Sequence, residues 1–245
     1  MRNYSATPDL LKNRVILITG AGDGLGKAAA LHYAAHGATV ILLGRTIKKL
    51  EAVYDAIETA GYPQAAIYPL NLEGAGSNDY ADLAENIKKE FGHLDGLLHN
   101  AAFLGAPSPA KLYDLDVWSK VLQTNLHAPY LLTRACLPLM EAADDPSIIF
   151  VTDSKLKAYW GAYGVSKAGI EGLMQILAHE YDKEEKGIRI NAIDPGPLKT
   201  RLRSTAYPGE DPNSVPTVDT VLPSFLYYMG PDSQGETGKT LRLAT

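Results

Sequence analysis

Short apolar segments alternate with longer segments of helical pattern along most of this 245-residue chain. The uniform apolarity of each short segment indicates a strand that is buried on both faces. The intervening segments are long enough for the crossover helices that join parallel strands. The predicted strands are Val15–Thr19, Thr39–Leu43, Ala65–Leu70, Leu94–His99, Ile148–Thr152 and Ile188–Ile193. The pattern therefore predicts an α/β, doubly wound, three-layer fold in which helices cover both faces of a parallel sheet.

The length and charge of the chain limit its organisation and its partners. A length of 245 residues suits one large α/β domain, and no repeat divides residues 1–245. The formal net charge of -5 provides no basic face for nucleic acid. No apolar segment is long enough to span a membrane, and Met1–Lys12 lacks the apolar core of a signal peptide. We therefore expect a single-domain cytoplasmic protein without nucleic-acid or membrane partners.

A glycine-rich turn follows the first predicted strand and precedes an alanine-rich helical segment. The turn reads Thr19-Gly20-Ala21-Gly22-Asp23-Gly24-Leu25-Gly26. Glycines in such a turn let backbone N–H groups approach a phosphate, and the following helix N-terminus favours negative charge. The spacing G-x-x-x-G-x-G differs from the common G-x-G-x-x-G, so the general dinucleotide pattern is met only in part. The position between strand and helix predicts nucleotide binding.

Tyr163 and Lys167 stand four residues apart in a segment of helical pattern, so they share one helix face. A phenol has a pKa of about 10, and a nearby cation favours the phenolate, which predicts an acid/base catalyst. The alternative is an amphipathic helix face with an extended lysine. His32 and His36 are also four apart, but the glutamate of H-E-x-x-H is missing, so we predict no metal site.

The chain resembles the classical short-chain dehydrogenase/reductase family over nearly its whole length. The resemblance rests on the order and spacing of Thr19-Gly20-x-x-x-Gly24-x-Gly26, Asn100-Ala101-Ala102, Asn125, Tyr163-x-x-x-Lys167 and Pro195-Gly196-x-x-x-Thr200. It implies a Rossmann-type fold with a mainly parallel seven-stranded sheet. It also implies an oxidoreductase that transfers hydride between a nicotinamide cofactor and a small-molecule carbonyl or alcohol substrate. The segment Trp160–Tyr163 is similar to a poorly characterised bacterial oxidoreductase subgroup of that family.

The resemblance implies catalytic roles for three of these residues. Tyr163 would donate and accept the proton, and Lys167 would lower its pKa and hold the nicotinamide ribose. Asn125 would order a water molecule that links Lys167 to solvent. The substrate would contact residues 153–159, 103–109 and 201–221, whose shapes the sequence does not predict.

Cofactor contacts follow from the same resemblance. The candidates are Gly20, Asp23, Gly24, Leu25, Gly26, Arg45, Asn71, Leu72, Asn100, Ala101, Lys167, Pro195, Gly196 and Thr200. Sites that prefer NAD usually place an acid at the end of the second strand, where this chain reads Leu42-Leu43-Gly44-Arg45. An arginine can bind a 2′-phosphate through two hydrogen bonds, so we expect NADP in preference to NAD. Arg45 can equally be a solvated loop cation.

The chain departs from the family at the serine that donates a hydrogen bond to the substrate carbonyl. The segment between the fifth strand and Tyr163 is several residues shorter than in the family. Alignment on the strand brings Asp153 to the serine position, with Ser154 and Thr152 beside it, and we select Ser154 as the catalytic candidate. An ionised Asp153 would repel a developing alkoxide. The second hypothesis is therefore a catalytically weak or inactive NADP-binding sensor or scaffold protein.

Two long predicted helices bear on assembly. They span Asp116–Met140 and Trp160–Lys186 and are rich in alanine and leucine. Members of the family commonly pair the equivalent helices, so the resemblance implies a homodimer or homotetramer. A monomer with these helices packed only on its own sheet is the alternative.

Overall fold

The computed structural model describes residues 3–154, 156–182 and 186–243. Within them a seven-stranded sheet has the order β3-β2-β1-β4-β5-β6-β7. The strands are β1 Val15–Thr19, β2 Thr39–Gly44, β3 Ala66–Pro69, β4 Gly96–His99, β5 Ser147–Val151, β6 Arg189–Asp194 and β7 Thr240–Arg242. Every neighbouring pair is parallel. The predicted fold class is confirmed, and the sheet is parallel throughout where we expected a mainly parallel one.

Helices cover both faces of the sheet. They are α1 Gly24–Ala35, α2 Ile47–Thr59, α3 Ser77–Phe91, α4 Leu115–Leu122, α5 Ala128–Glu141, α6 Gly161–Tyr181, α7 Arg201–Ala206 and α8 Leu222–Met229. Alternate residues of β1 point to opposite sides: Ile16 and Ile18 pack with α1, α2 and α8, whereas Leu17 packs with α3, α5 and α6. The two apolar clusters account for the uniformly apolar strands and confirm the three-layer arrangement.

The predicted helix Asp116–Met140 is wrong as a single α-helix. It consists of α4, a π-helical segment Gln123–His127 and α5. The N–H of Ala128 donates to the carbonyl of Gln123, five residues earlier, so one extra residue is accommodated in this turn. Such an insertion leaves helical propensity almost unchanged, and the sequence pattern therefore does not indicate it. The other long helix, predicted to reach Lys186, ends at Tyr181, and residues 183–185 lie outside the described residues.

Strand order fixes where a ligand can bind. From β1 the chain continues outward to β2 and β3, and then returns to place β4 on the other side of β1. Loops that leave β1 and β4 therefore diverge at their carboxyl ends and open a crevice between them. Thr19, His99, Val151 and Asp194 are the last residues of β1, β4, β5 and β6, so the segments that follow them meet at this edge.

Candidate active site

A cleft of about 560 Å³ opens at the carboxyl ends of the strands. It brings together most of the predicted site residues. Those that line it are Gly20, Asp23, Gly24, Leu25, Arg45, Asn71, Leu72, Asn100, Ala101, Tyr163, Lys167, Pro195, Gly196 and Thr200. Gly26, Asn125 and Ser154 were also predicted, but their side chains or backbones do not line this cleft. The co-location follows from parallel topology, because each of these segments leaves the carboxyl end of a strand or begins the helix after it.

The glycine turn has the backbone that its sequence predicts. Gly20 and Gly24 have φ values of +69° and +50°, in the region that L side chains rarely adopt. A Cβ on Gly26 would collide with the carbonyl oxygen of Gly20, so Gly26 allows α1 to pack tightly on the turn. Asp23 caps α1, since its Oδ1 accepts the N–H of Gly24 at 2.8 Å. The turn is thus open on its cleft side for an anionic group.

Thr19, which the sequence placed at the start of the glycine turn without a role, joins this turn to the segment after β4. Its Oγ1 accepts the N–H groups of Asn100 and Ala101, each at 3.0 Å. Asn100 Nδ2 donates in return to the carbonyl of Thr19 at 3.0 Å. The sequence feature that indicates this role is a hydroxyl at the end of an otherwise apolar buried strand, because a buried hydroxyl needs hydrogen-bond partners. These bonds hold the two walls of the crevice together.

Tyr163 and Lys167 lie on the buried side of α6 and face the cleft. The Tyr163 hydroxyl donates to Oδ2 of Asp153 at 3.3 Å. Lys167 Nζ donates to the carbonyl of Val151 at 2.8 Å and lies 5.7 Å from the centre of the Tyr163 ring. Their predicted proximity on one helix face is therefore observed, with the ammonium near the ring and the hydroxyl directed at a carboxylate.

Burial and neighbouring charges shift the pKa values of both residues. Burial, followed by the charge and hydrogen bond of Asp153, raises the pKa of Tyr163 well above its usual 10. Burial lowers the pKa of Lys167 to about 8, against the opposing effect of Asp153 and Asp194. Desolvation and Asp153 dominate this shift, and the predicted lowering of the Tyr163 pKa by Lys167 stays a prediction. Burial and Asp153 therefore both favour the protonated phenol.

Ser154 is exposed, and its N–H donates to Oδ2 of Asp194 at 3.1 Å. The structure brings the Asp153 carboxylate, and not Ser154, to the Tyr163 hydroxyl. Asn125 is buried in the π-helical segment. Its Oδ1 accepts the N–H of Phe103 at 2.7 Å, and its Nδ2 donates to the Phe103 carbonyl at 3.0 Å and to Ser166 Oγ at 3.1 Å. These bonds tie the segment after β4 to α6.

The other end of the cleft carries two cations. Arg45 follows β2, and Lys49 lies in the first turn of α2. Lys49, which sequence reasoning missed, donates to the Asp23 carboxylate, and this hydrogen bond holds the pKa of Asp23 below its usual value. The sequence feature that indicates a role for Lys49 is its position four residues after Arg45, on a helix that starts at the site. The segment after β2 therefore offers the Arg45 guanidinium and no acid of its own, while the Lys49 ammonium is paired with Asp23.

The cleft beside Tyr163 has aromatic walls. The Trp160 ring centre lies 5.6 Å from that of Tyr163 and 5.9 Å from that of Tyr207. The Arg203 guanidinium stacks on the Tyr207 ring at 3.7 Å and binds Glu210 through two hydrogen bonds of 2.7 and 2.6 Å. This region of the cleft suits an apolar or ring-shaped small molecule.

Across residues 3–154, 156–182 and 186–243, no three His, Cys, Asp or Glu side chains are grouped as metal ligands would be. In the same part of the chain, no helix combines the length and apolarity needed to cross a bilayer.

A doubly wound parallel sheet with an open glycine turn at its switch point defines a dinucleotide-binding α/β protein. The family model for short chain dehydrogenases matches residues 14–211. The chain belongs to this family of NAD(P)-dependent oxidoreductases, which confirms the resemblance.

The similarity to individual members extends over nearly the whole chain. The uncharacterised oxidoreductase YciK of Escherichia coli (strain K12) is 43% identical over 243 residues, which cover 97% of this chain and 94% of that protein. A structure assigned to the short chain dehydrogenases from Pseudomonas syringae is 48% identical, with a TM-score of 0.94 over 99% of this chain and 100% of its own. The protein in a crystal structure from Escherichia coli CFT073, complexed with NADPH, is 42% identical, with a TM-score of 0.94, and the match covers 98% of this chain and 100% of that chain.

Proposed function

We propose that the protein is an NADP-dependent oxidoreductase that interconverts a carbonyl compound and an alcohol, with Tyr163 as general acid and base. The observation that carries this proposal is the buried pair of Tyr163 and Lys167 beside the dinucleotide cleft. A bound nicotinamide cofactor would supply the hydride. Tyr163 would hold and transfer the proton at its hydroxyl oxygen. Lys167 would hold the nicotinamide ribose and provide positive charge near the Tyr163 ring. The glycine turn, Asn100 and Thr200 would bind and orient the cofactor.

The proposal is tested by NADPH fluorescence and by NADPH oxidation against a broad panel of carbonyl compounds. Binding and turnover are both expected. A purified protein that binds neither NADPH nor NADH contradicts the proposal.

The preference for NADP is supported by the charges at the end of β2. Arg45 and Lys49 line the cleft where a 2′-phosphate would lie, and Gly44 provides no acid that would repel it. A relative of 42% identity crystallised with NADPH supports the same choice.

Replacing Arg45 by alanine is expected to weaken NADPH binding by about 10- to 100-fold, because a charge-assisted hydrogen bond contributes roughly 1.5–3 kcal/mol. NADH binding should change little, since it lacks the 2′-phosphate. Fluorescence titration with both cofactors measures the difference. Lys48→Ala is the matched control, because Lys48 is exposed beside this site and does not line the cleft. Equal losses for NADPH and NADH would contradict the assignment of Arg45.

A catalytically weak enzyme, or an NADP-binding sensor or scaffold, is the second candidate, and Asp153 is the observation that favours it. The carboxylate contacts the hydroxyl that would stabilise negative charge on the substrate oxygen. A negative charge at that position opposes the developing alkoxide and makes Tyr163 a weaker acid.

Replacing Asp153 by serine is therefore expected to increase kcat/KM for carbonyl reduction by about tenfold or more, since a lost or gained oxyanion donor typically changes the rate 10²–10³-fold. Steady-state NADPH oxidation measures the change. Asp153→Ala removes the charge without providing a hydrogen-bond donor and separates the two effects. A protein that binds NADPH tightly but has no turnover before and after Asp153→Ser would favour the sensor or scaffold.

The homodimer or homotetramer is part of the same proposal. Tyr130 on α5 and Val165 and Ile176 on α6 are large apolar side chains exposed on the two helices that were expected to pair. Exposed apolar side chains on paired helices support an interface between copies. Light scattering of the purified protein would measure its mass, and a monomer at all concentrations would contradict the proposed homo-oligomer.

A further inference from the structure

Asp194, the last residue of β6, is 2% exposed and lines the cleft. Its two carboxylate oxygens accept hydrogen bonds from two different loops. Oδ2 accepts the N–H of Ser154, after β5, at 3.1 Å, and Oδ1 accepts the N–H of Gly196, after β6, at 3.0 Å. One buried carboxylate thus joins the two strand ends that border the inner wall of the cleft. Nothing in the resemblance assigns this residue a role.

Asp194 also belongs to a charged network behind the cleft. Arg242 Nη1 of β7 lies 3.7 Å from Asp194 Oδ2. The same guanidinium binds Glu171 of α6 with hydrogen bonds of 3.1 and 2.8 Å, and Thr152 Oγ1 donates to Glu171 at 3.0 Å. The network therefore links the ends of β5, β6 and β7 to the helix that carries the catalytic pair. One guanidinium shared by two carboxylates leaves a net negative charge in this network.

Lys167 is the group that this negative charge acts on. It is buried, and burial lowers its pKa to about 8, while Asp153 and Asp194 act in the opposite direction. Within the described part of the chain, the charged groups that act on it are Asp153 after β5 and Asp194 at the end of β6, and Tyr163 lies one turn earlier on its own helix. Asn125, from the π-helical segment, carries no charge. Asp194 is thus one of two carboxylates that favour the ammonium form.

We propose that Asp194 is a positioning residue of the active site: it holds the segments after β5 and β6 together and keeps Lys167 charged for cofactor and substrate. This inference rests on the proposed function, because Lys167 is assigned to the nicotinamide ribose there. Asp194 acts through Lys167 and through the backbone of Ser154 and Gly196, and takes no part in proton transfer itself.

Three variants test the proposal. Asp194→Asn removes the charge and one acceptor at constant size, and Asp194→Ala removes both acceptors. Arg242→Met removes the cation behind Asp194 and so makes the surroundings of Lys167 more negative. Asp82→Asn, on the exposed face of α3, is the control for loss of a carboxylate. Thermal unfolding establishes whether each variant is folded. If Asp194→Ala is unfolded, Asp194→Asn and Arg242→Met decide the question.

The measurement is the dissociation constant of NADPH, followed by nicotinamide fluorescence from pH 7 to pH 10. Wild-type affinity is expected to fall above about pH 8 as Lys167 loses its proton. The midpoint should move down by about one pH unit in Asp194→Asn and up in Arg242→Met, since a neighbouring charge shifts a pKa by roughly this amount. Asp194→Ala should also weaken binding by about tenfold at pH 7, because two charge-assisted hydrogen bonds are lost. A purely structural role would weaken binding at every pH without moving the midpoint.

Unchanged midpoints in both Asp194→Asn and Arg242→Met, or a profile that is flat in all proteins, would overturn the proposal. Shifts in the same direction for these two variants would overturn it as well. Carbonyl reduction is measured in parallel on the same samples. Wild-type protein that binds NADPH without turnover would count against the proposed function, while the binding midpoints would still decide the role of Asp194. Protein that ignores NADPH would overturn both.

Discussion

Tyr163→Phe is expected to lower kcat/KM for carbonyl reduction by about 10³-fold or more, while NADPH affinity stays within about twofold. General acid catalysis typically contributes 10²–10⁴-fold and an oxyanion donor 10²–10³-fold, and the phenol provides both. The substitution removes a single oxygen and retains the ring, which packs against Trp160. It also removes a hydrogen-bond partner of Asp153 without leaving a cavity. A steady-state assay with any carbonyl substrate found in the panel, together with NADPH fluorescence, measures both quantities.

Tyr62→Phe is the matched control, because Tyr62 is exposed after α2 and lies outside the cleft. This variant should retain full activity, which separates loss of the catalytic phenol from the general effect of removing a tyrosine hydroxyl. Turnover by Tyr163→Phe within tenfold of the wild type would refute the assigned acid. A large loss of NADPH affinity in the same variant would instead point to a binding role.

The fold was predictable from the sequence because each strand is buried on both faces and is followed by a connection long enough for a helix. Val15–Thr19 was placed without error, and the other five predicted strands differ from the structure by one or two residues at their ends. The strand β7 was not located. It has three residues, none of them fully buried, so it carries no apolar pattern. Its position follows from pairing with β6 at the edge of the sheet.

Those parts of the candidate site that a local sequence pattern indicates were predictable. Glycine spacing after β1 indicated the turn, and helical spacing indicated that Tyr163 and Lys167 share a face. The electrostatics were not predictable, because they depend on residues that meet only in the folded chain. Asp194 lies 27 residues after Lys167 and accepts an N–H from Ser154, 40 residues earlier. For the same reason the raised pKa of Tyr163 could not be deduced from its four-residue spacing to Lys167.

Asp145→Asn is expected to destabilise the protein by about 3 kcal/mol, because breaking a buried ion pair on one side leaves an uncompensated charge that typically costs 3–5 kcal/mol. Asp145 precedes β5 and accepts hydrogen bonds from Arg14 Nη1 at 2.9 Å and from Arg189 Nε and Nη2 at 3.0 and 2.9 Å. The two arginine side chains are only 11% and 7% exposed, whereas Asp145 is 20% exposed, which favours the lower end of that range. Urea unfolding should give a lower midpoint with an unchanged m-value.

Asp144→Asn provides the neighbouring control, since Asp144 is fully exposed and contacts Lys186 at 3.5 Å, so its stability should match the wild type. Because Arg14, Asp145 and Arg189 lie at the amino ends of β1, β5 and β6, they are at the opposite edge of the sheet from the cleft. Folded Asp145→Asn should therefore bind NADPH with wild-type affinity. A loss below about 1 kcal/mol would show that water or the remaining partners compensate both guanidinium groups. Weaker NADPH binding at temperatures where the variant is folded would show that the two edges are coupled through the sheet.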